Sequence, residues 1–199
     1  MSSSEPNAER REDSADIAAY LAGDRAALDR LVLRHKDSVF NLCYRLLGDY
    51  GDAEECAQET FVKVLRSIAG FRREASFSTW LFTIAVNTCK NKRKSSEYRF
   101  WKHALRLGRN PRDDDGPEEF EIEDQTPSAL AQMTEKEREI LLQSAIDSLP
   151  YDYRTVIVLR HVEELPYDEI ARITGYNLGT LKSKLARARI ELQKKLRGA

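Results

Sequence analysis

Along most of this chain hydrophobic positions recur every three or four residues, and the stretches that break the rhythm are short and polar. Asp24 can cap a helix whose wide apolar face carries Leu28, Leu31, Val32, Val39, Leu42, Cys43, Leu46 and Leu47 and stops at Gly48. Asp52 and Glu55, three residues apart, have the spacing of a capping pair. Ala53, Ala57, Phe61, Val64, Leu65 and Ile68 then give the next helix its inner face, which ends at Gly70. Ser76 or Ser78 can cap a third, with Trp80, Leu81, Ile84, Ala85 and Thr88 on one side and Thr83, Asn87, Lys90, Asn91 and Lys94 on another.

Residues 166–190, PYDEIARITGYNLGTLKSKLARARI, read as a short helix, a three-residue turn and a basic helix. Pro166 suits a first helical turn, where its missing amide needs no partner, and Asp168 and Glu169 favour the same positive end. Leu165, Ile170, Ala171 and Ile173 supply a buried side. Gly175 tolerates the left-handed conformation that closes a helix, and Asn177 can cap the next. From there Leu181, Leu185, Ala188, Leu192 and Leu196 make one stripe, leaving Thr180, Lys182, Ser183, Lys184 and Arg187 pointing away from it. That is the layout of a DNA-reading helix-turn-helix, with hydroxyls to reach base edges and cations for phosphates. The alternative is a solvated amphipathic helix that closes a bundle.

With few prolines and glycines, the expected fold class is all-α: two small helical domains joined by an acidic flexible linker, the second containing the helix-turn-helix. The domains span 15–98 and 130–199, with a disordered tail over 1–14 and the linker over 99–129. A length of 199 residues suffices for one medium core or two small ones. The net charge of −1 conceals segregation. Phe71 to Lys102 holds eight basic residues against two glutamates, and Leu178 to Arg197 holds seven against Glu191 alone. Between Asp113 and Asp124 stand eight acids and no base. Two basic patches separated by an acidic connector suggest two DNA contacts on one chain.

Cys43, Cys56 and Cys89 form an odd, widely spaced set without a CxxC pair, and His35, His103 and His161 are equally scattered. No catalytic residue, metal site or cofactor is indicated, and each cysteine reads as a small core or surface residue. No apolar run approaches the roughly 20 residues needed to span a bilayer, and the start, MSSSEPNAERREDS, lacks the apolar core of a signal peptide. The expectation is a soluble, cytoplasmic protein without membrane insertion. On residues alone, Asp52, Glu55, Gln58 and Glu59 read as a solvated face whose acids suit the helix dipole. Phe71, Phe77 and Trp80 border a loop where an unstacked base can rest, although aromatics at this spacing also serve a core, the reading preferred for Trp80.

Three segments in this order, DAEECAQETFVKVL from Asp52, FSTWLFTIAVNTCKN from Phe77 and LPYDEIARITGYNLGTLKSKLARAR from Leu165, resemble the extracytoplasmic-function group of the sigma-70 family. The resemblance implies a promoter-specificity subunit, not an enzyme, that binds core RNA polymerase and promoter DNA. It places core binding, to the clamp helices of the large subunit, on Asp52, Glu55, Gln58 and Glu59. It places minus-ten recognition on Ser76, Phe77, Thr79, Trp80, Thr83, Asn87, Lys90, Asn91 and Lys94, with a flipped base captured by the loop from Ser76 to Trp80. Lys90, Lys92, Arg93 and Lys94 would neutralise phosphates. Minus-thirty-five recognition falls to Thr180, Lys182, Ser183 and Arg187, with Lys184 and Arg189 nearer the phosphates, and the last domain also contacts the polymerase flap. It further implies an anti-sigma partner and a connector that enters the polymerase channel later occupied by nascent RNA, from which we expect its acids to imitate RNA phosphates.

The sequence departs from its relatives where Lys182 and Lys184 replace the arginine frequent there, since lysine lacks the fork that pairs with guanine. The length leaves no room for the extra domains of housekeeping sigma factors. A dimeric repressor would need a dimerisation or ligand-binding domain in place of the second basic helix, and an enzyme would need a catalytic spacing that the cysteines and histidines do not supply.

Overall fold

The structure, a computed structural model, describes residues 5–95 and 134–197, so the acidic connector lies outside the described residues. The first unit is built from α1 (Glu5–Leu21), α2 (Arg25–Leu47), α3 (Tyr50–Ser67), a 3₁₀ turn (Ile68–Gly70) and α4 (Phe77–Lys94). The second contains α5 (Glu135–Ser148), α6 (Tyr151–His161), α7 (Tyr167–Thr174) and α8 (Leu178–Arg197). Every element among the described residues is helical, as the periodicity predicts, and none of these helices is long and apolar enough to cross a membrane.

Local chemistry accounts for most helix boundaries. The Asp24 carboxylate accepts the Ala26 amide, and Gly48 closes α2 in the left-handed conformation at φ 71°. Asp49 caps α3 by accepting the Asp52 amide at 2.9 Å. Asp52, expected as the cap, therefore sits in the first turn, because the chain is still extended at Asp49. Ser76 caps α4, and Gly175 ends α7 at φ 74°. Asn177 receives the Thr180 amide at 2.8 Å at the start of α8.

Residues 5–14, expected to belong to a disordered tail, form the first half of α1. Local periodicity does not reveal the cause, which is a set of ion pairs to α2. Asp13, 3% exposed, accepts Arg34 at 2.6 Å and pairs with His35 at 2.9 Å. Asp16 accepts Arg30 at 2.7 Å and Arg34 at 2.8 Å. Burial pushes the Asp16 carboxyl up, and these hydrogen bonds outweigh it, leaving the group below its ordinary value. Glu9, Asp13 and His35 converge to within 4.8 Å, and Arg34 supplies positive charge to the cluster.

The core of the first unit gathers Leu31, Leu42, Leu46, Leu81 and Ala85, all at most 1% exposed, and each buried leucine contributes about 1.5–3 kcal/mol. The three scattered cysteines also meet here. The neighbouring Cys43 and Cys56 thiols, together with burial, push the Cys89 thiol far above the ordinary thiol range. Cys89 therefore stays neutral.

The two units pack against one another. Arg154 of α6, 3% exposed, donates to the carbonyl of Leu46 at the end of α2 at 2.8 Å and to that of Asp147. The Tyr151 hydroxyl donates to the Val86 carbonyl at 3.0 Å, and the Arg93 guanidinium lies 4.8 Å from the centre of the Tyr151 ring. Arg45 of α2 reaches Gln143 and Glu139 of α5. Gly48 shows how close the approach is: a Cβ there would lie 2.6 Å from the Asp147 carboxylate. One apolar cluster consequently runs through both units.

Candidate nucleic-acid interface

The loop between the 3₁₀ turn and α4 walls an open cavity of about 440 Å³, lined by Phe71, Arg72, Arg73, Thr79, Trp80 and Thr83, with Arg172 of α7 on the facing side. Arg73 holds φ at 58°, a left-handed conformation that a non-glycine residue adopts at some cost and that shapes the loop. The Ser76 hydroxyl accepts the Thr79 amide at 3.1 Å and lies 2.6 Å from the Thr79 hydroxyl. Phe71, Phe77 and Trp80 form an aromatic triad with centroids 5.1 to 5.9 Å apart. Within it Phe77 is buried and tilts against His35, whereas Trp80 is half-buried beside the cavity. Thr79 is buried as well, its hydroxyl 2.7 Å from the Glu169 carboxylate.

Beyond the cavity, Asn87, Lys90, Asn91 and Lys94 are exposed and share one face of α4, continuing from Thr83 at spacings of three and four. Lys92 and Arg93, expected beside them on phosphates, turn elsewhere. Lys92 bonds to Glu55 at 2.7 Å and Asp52 at 3.3 Å, and the Glu55 bond foremost raises its pKa. Arg93 is spent on the Tyr151 ring. The usable cations of this face are Lys90 and Lys94.

On α8, Lys182, Ser183 and Arg187 are exposed and Thr180 is half-buried. Lys184 does not join them. Its ammonium pairs with Asp152 at 2.9 Å and lies 4.9 Å from the Tyr176 ring centre. Burial pushes Asp152 up, but bonds to Lys184 and Tyr176 bring it below its ordinary value. Burial and the same carboxylate push Tyr176 up to about 12. Arg189 donates to His161 at 3.2 Å.

On α3 the acids are partly committed as well, Asp52 and Glu55 to Lys92 and Glu59 to Lys63 at 2.8 Å. Gln58 and Glu59 are exposed, and beside them stand Val62 at 42% and Leu65 at 38% exposure. Periodicity assigns Leu65 to the inner face, but the helix turns it outward. The first turn of α3 is anchored by Asp49 and Lys92, so the buried stripe runs through Ala53, Cys56, Ala57, Thr60 and Val64. Val62 and Leu65 thus put apolar surface beside the acids of this face.

Residues 31–98 match the family model described as sigma-70 region 2, and residues 140–192 match the one described as sigma-70, region 4. The chain is 32% identical to the RNA polymerase sigma-H factor of Pseudomonas aeruginosa over 94% of its own length and 95% of that protein's. It is 34% identical to the ECF RNA polymerase sigma-E factor of Haemophilus influenzae, covering 95% of this chain and 97% of the relative. Its fold is similar to that of CnrH solved in complex with the cytosolic domain of CnrY, with a TM-score of 0.62 at 19% identity, over 95% and 97% of the two chains.

Proposed function

Because the chain belongs to the extracytoplasmic-function group of the sigma-70 family, we propose a division of labour among its surfaces. The chain is a promoter-recognising sigma factor of RNA polymerase. Its α4 face, Thr83, Asn87, Lys90, Asn91 and Lys94, reads the minus-ten element. The cavity beside Trp80 receives a base flipped from the non-template strand. Extrusion of a base costs a few kcal/mol, which stacking on an aromatic wall and phosphate contacts must offset. Lys182, Ser183 and Arg187, with Thr180 at the helix start, contact the minus-thirty-five element in duplex form. On α3, Gln58, Glu59, Val62 and Leu65 meet the clamp helices of the large subunit, and the second unit meets the flap. The chain performs no bond chemistry of its own and works in the cytoplasm, where the chromosome is. An anti-sigma protein is the expected inhibitor, and the fold shared with CnrH, which was solved with the cytosolic domain of CnrY, supports this.

The observation that carries this reading is continuity: an exposed polar-to-basic row on α4 begins at an aromatic-walled cavity of about 440 Å³. Asn87→Ala should impair opening of promoter DNA by the holoenzyme while leaving assembly with core polymerase intact. Val62→Glu with Leu65→Glu should weaken assembly first. If both variants lose both activities in equal measure, the division of labour is wrong.

A further inference from the structure

Glu169 stands in the first turn of α7, in the helix-turn-helix unit, yet both of its carboxylate oxygens are engaged by the other unit. One accepts the Thr79 hydroxyl at the start of α4 at 2.7 Å, and the other accepts Arg10 of α1 at 2.7 Å. One turn later, Arg172 donates to the Glu74 carbonyl at 3.1 Å and walls the cavity beside Trp80. The Glu169 side chain is 13% exposed, so the carboxylate is a fitted part of the joint.

Its chemistry matches what the same place would otherwise receive. The start of α4 offers the positive end of a helix, a hydroxyl donor on Thr79 and the nearby cations Arg10 and Arg73, a set suited to an acceptor oxygen of nucleic acid. We propose that Glu169 is an intramolecular stand-in for such an oxygen, and that α7 clasps the start of α4 and the mouth of the cavity in the isolated chain. The proposal rests on the reading of the α4 face given above. DNA and α7 compete for Thr79 and for the mouth of the cavity, so the exposed row on α4 can meet a strand but the cavity cannot take its flipped base and the adjoining phosphate until the second unit moves off. The bonds that close the clasp are polar and lie at the rim, where phosphate oxygens can replace them.

The test uses the full chain without polymerase and a single-stranded DNA oligonucleotide carrying the non-template minus-ten sequence. Glu169→Ala should raise its affinity about tenfold, equivalent to about 1.4 kcal/mol. Glu169→Gln, which keeps the size of the side chain, should give a smaller gain in the same direction. Asp168→Asn makes the same change of charge on an exposed neighbour and should give none. In the holoenzyme, where the clasp is already released, Glu169→Ala and the native protein should open the promoter equally. Unchanged affinity for Glu169→Ala, an equal gain from Asp168→Asn, or a loss of promoter opening by the Glu169→Ala holoenzyme would each overturn the clasp. The underlying site reading is judged apart, by Asn87→Ala in the holoenzyme: normal opening there defeats that reading, whereas impaired opening beside an unaltered Glu169→Ala affinity defeats the clasp alone.

Discussion

Arg154→Ala should loosen the second unit and remove its bond to the end of α2. The guanidinium is 3% exposed, bonds to the carbonyls of Leu46, Asp147 and Leu149, and pairs with the Asp147 carboxylate at 3.2 Å. Truncation strands these carbonyls and leaves Asp147 without its counter-charge. Breaking a buried ion pair from one side costs about 3–5 kcal/mol. The Asp147 side chain is 34% exposed, so water rehydrates it and the loss falls near the lower end, about 3 kcal/mol. With a urea slope of about 2 kcal/mol per molar, the unfolding midpoint should fall by about 1.5 M. Arg154→Lys keeps the charge, but one ammonium cannot span carbonyls from three directions, so it should lie between the two. A midpoint shift below about 0.25 M for Arg154→Ala, roughly what an ordinary surface substitution gives, would refute this account of Arg154.

Burial pushes the Glu163 carboxyl from 4.5 up to about 7, with Arg45 pulling against it. Between those values the folded chain keeps a proton that the unfolded chain has lost, so stability falls as pH rises through the window. Glu163→Gln should therefore match the native protein below pH 4.5 and exceed it at pH 8 by about 3 kcal/mol, and parallel stability curves would contradict the assignment. Replacing Lys90 and Lys94 with alanine should flatten the salt dependence of holoenzyme binding to promoter DNA, by about 0.7–0.9 in logarithmic slope per lysine. Lys92→Ala should leave that slope nearly unchanged, because Glu55 and Asp52 hold its ammonium; an equal change in slope would show that Lys92 also meets phosphate.

What the sequence determines by itself is local. Helical period, the caps at Asp24, Ser76 and Asn177, and the left-handed glycines 48 and 175 all depend on neighbours within a turn or two, and they appear in the structure where the pattern predicts them. The exposed rows on α4 and α8 are legible for the same reason, because 3.6 residues per turn places Asn87, Lys90, Asn91 and Lys94 together whatever the rest of the chain does. Partnership across distance is not legible. Nothing near residues 5–14 announces a helix, since Asp13 and Asp16 find their cations more than a dozen residues on, in α2. Lys92 and Lys184 look like their neighbours in sequence, and only packing assigns one to Glu55 and the other to Asp152. Cys43, Cys56 and Cys89 are far apart along the chain and adjacent in the core. Two apolar stripes and a long connector imply two small domains, and what they do not show is the joint between them: Arg154, Tyr151 and Glu169 each satisfy polar atoms on the opposite unit, and a buried polar atom takes its partner from whatever the fold brings within 3 Å. Which surfaces exist was therefore decided by the sequence, and which of them the chain covers with itself was decided by tertiary structure.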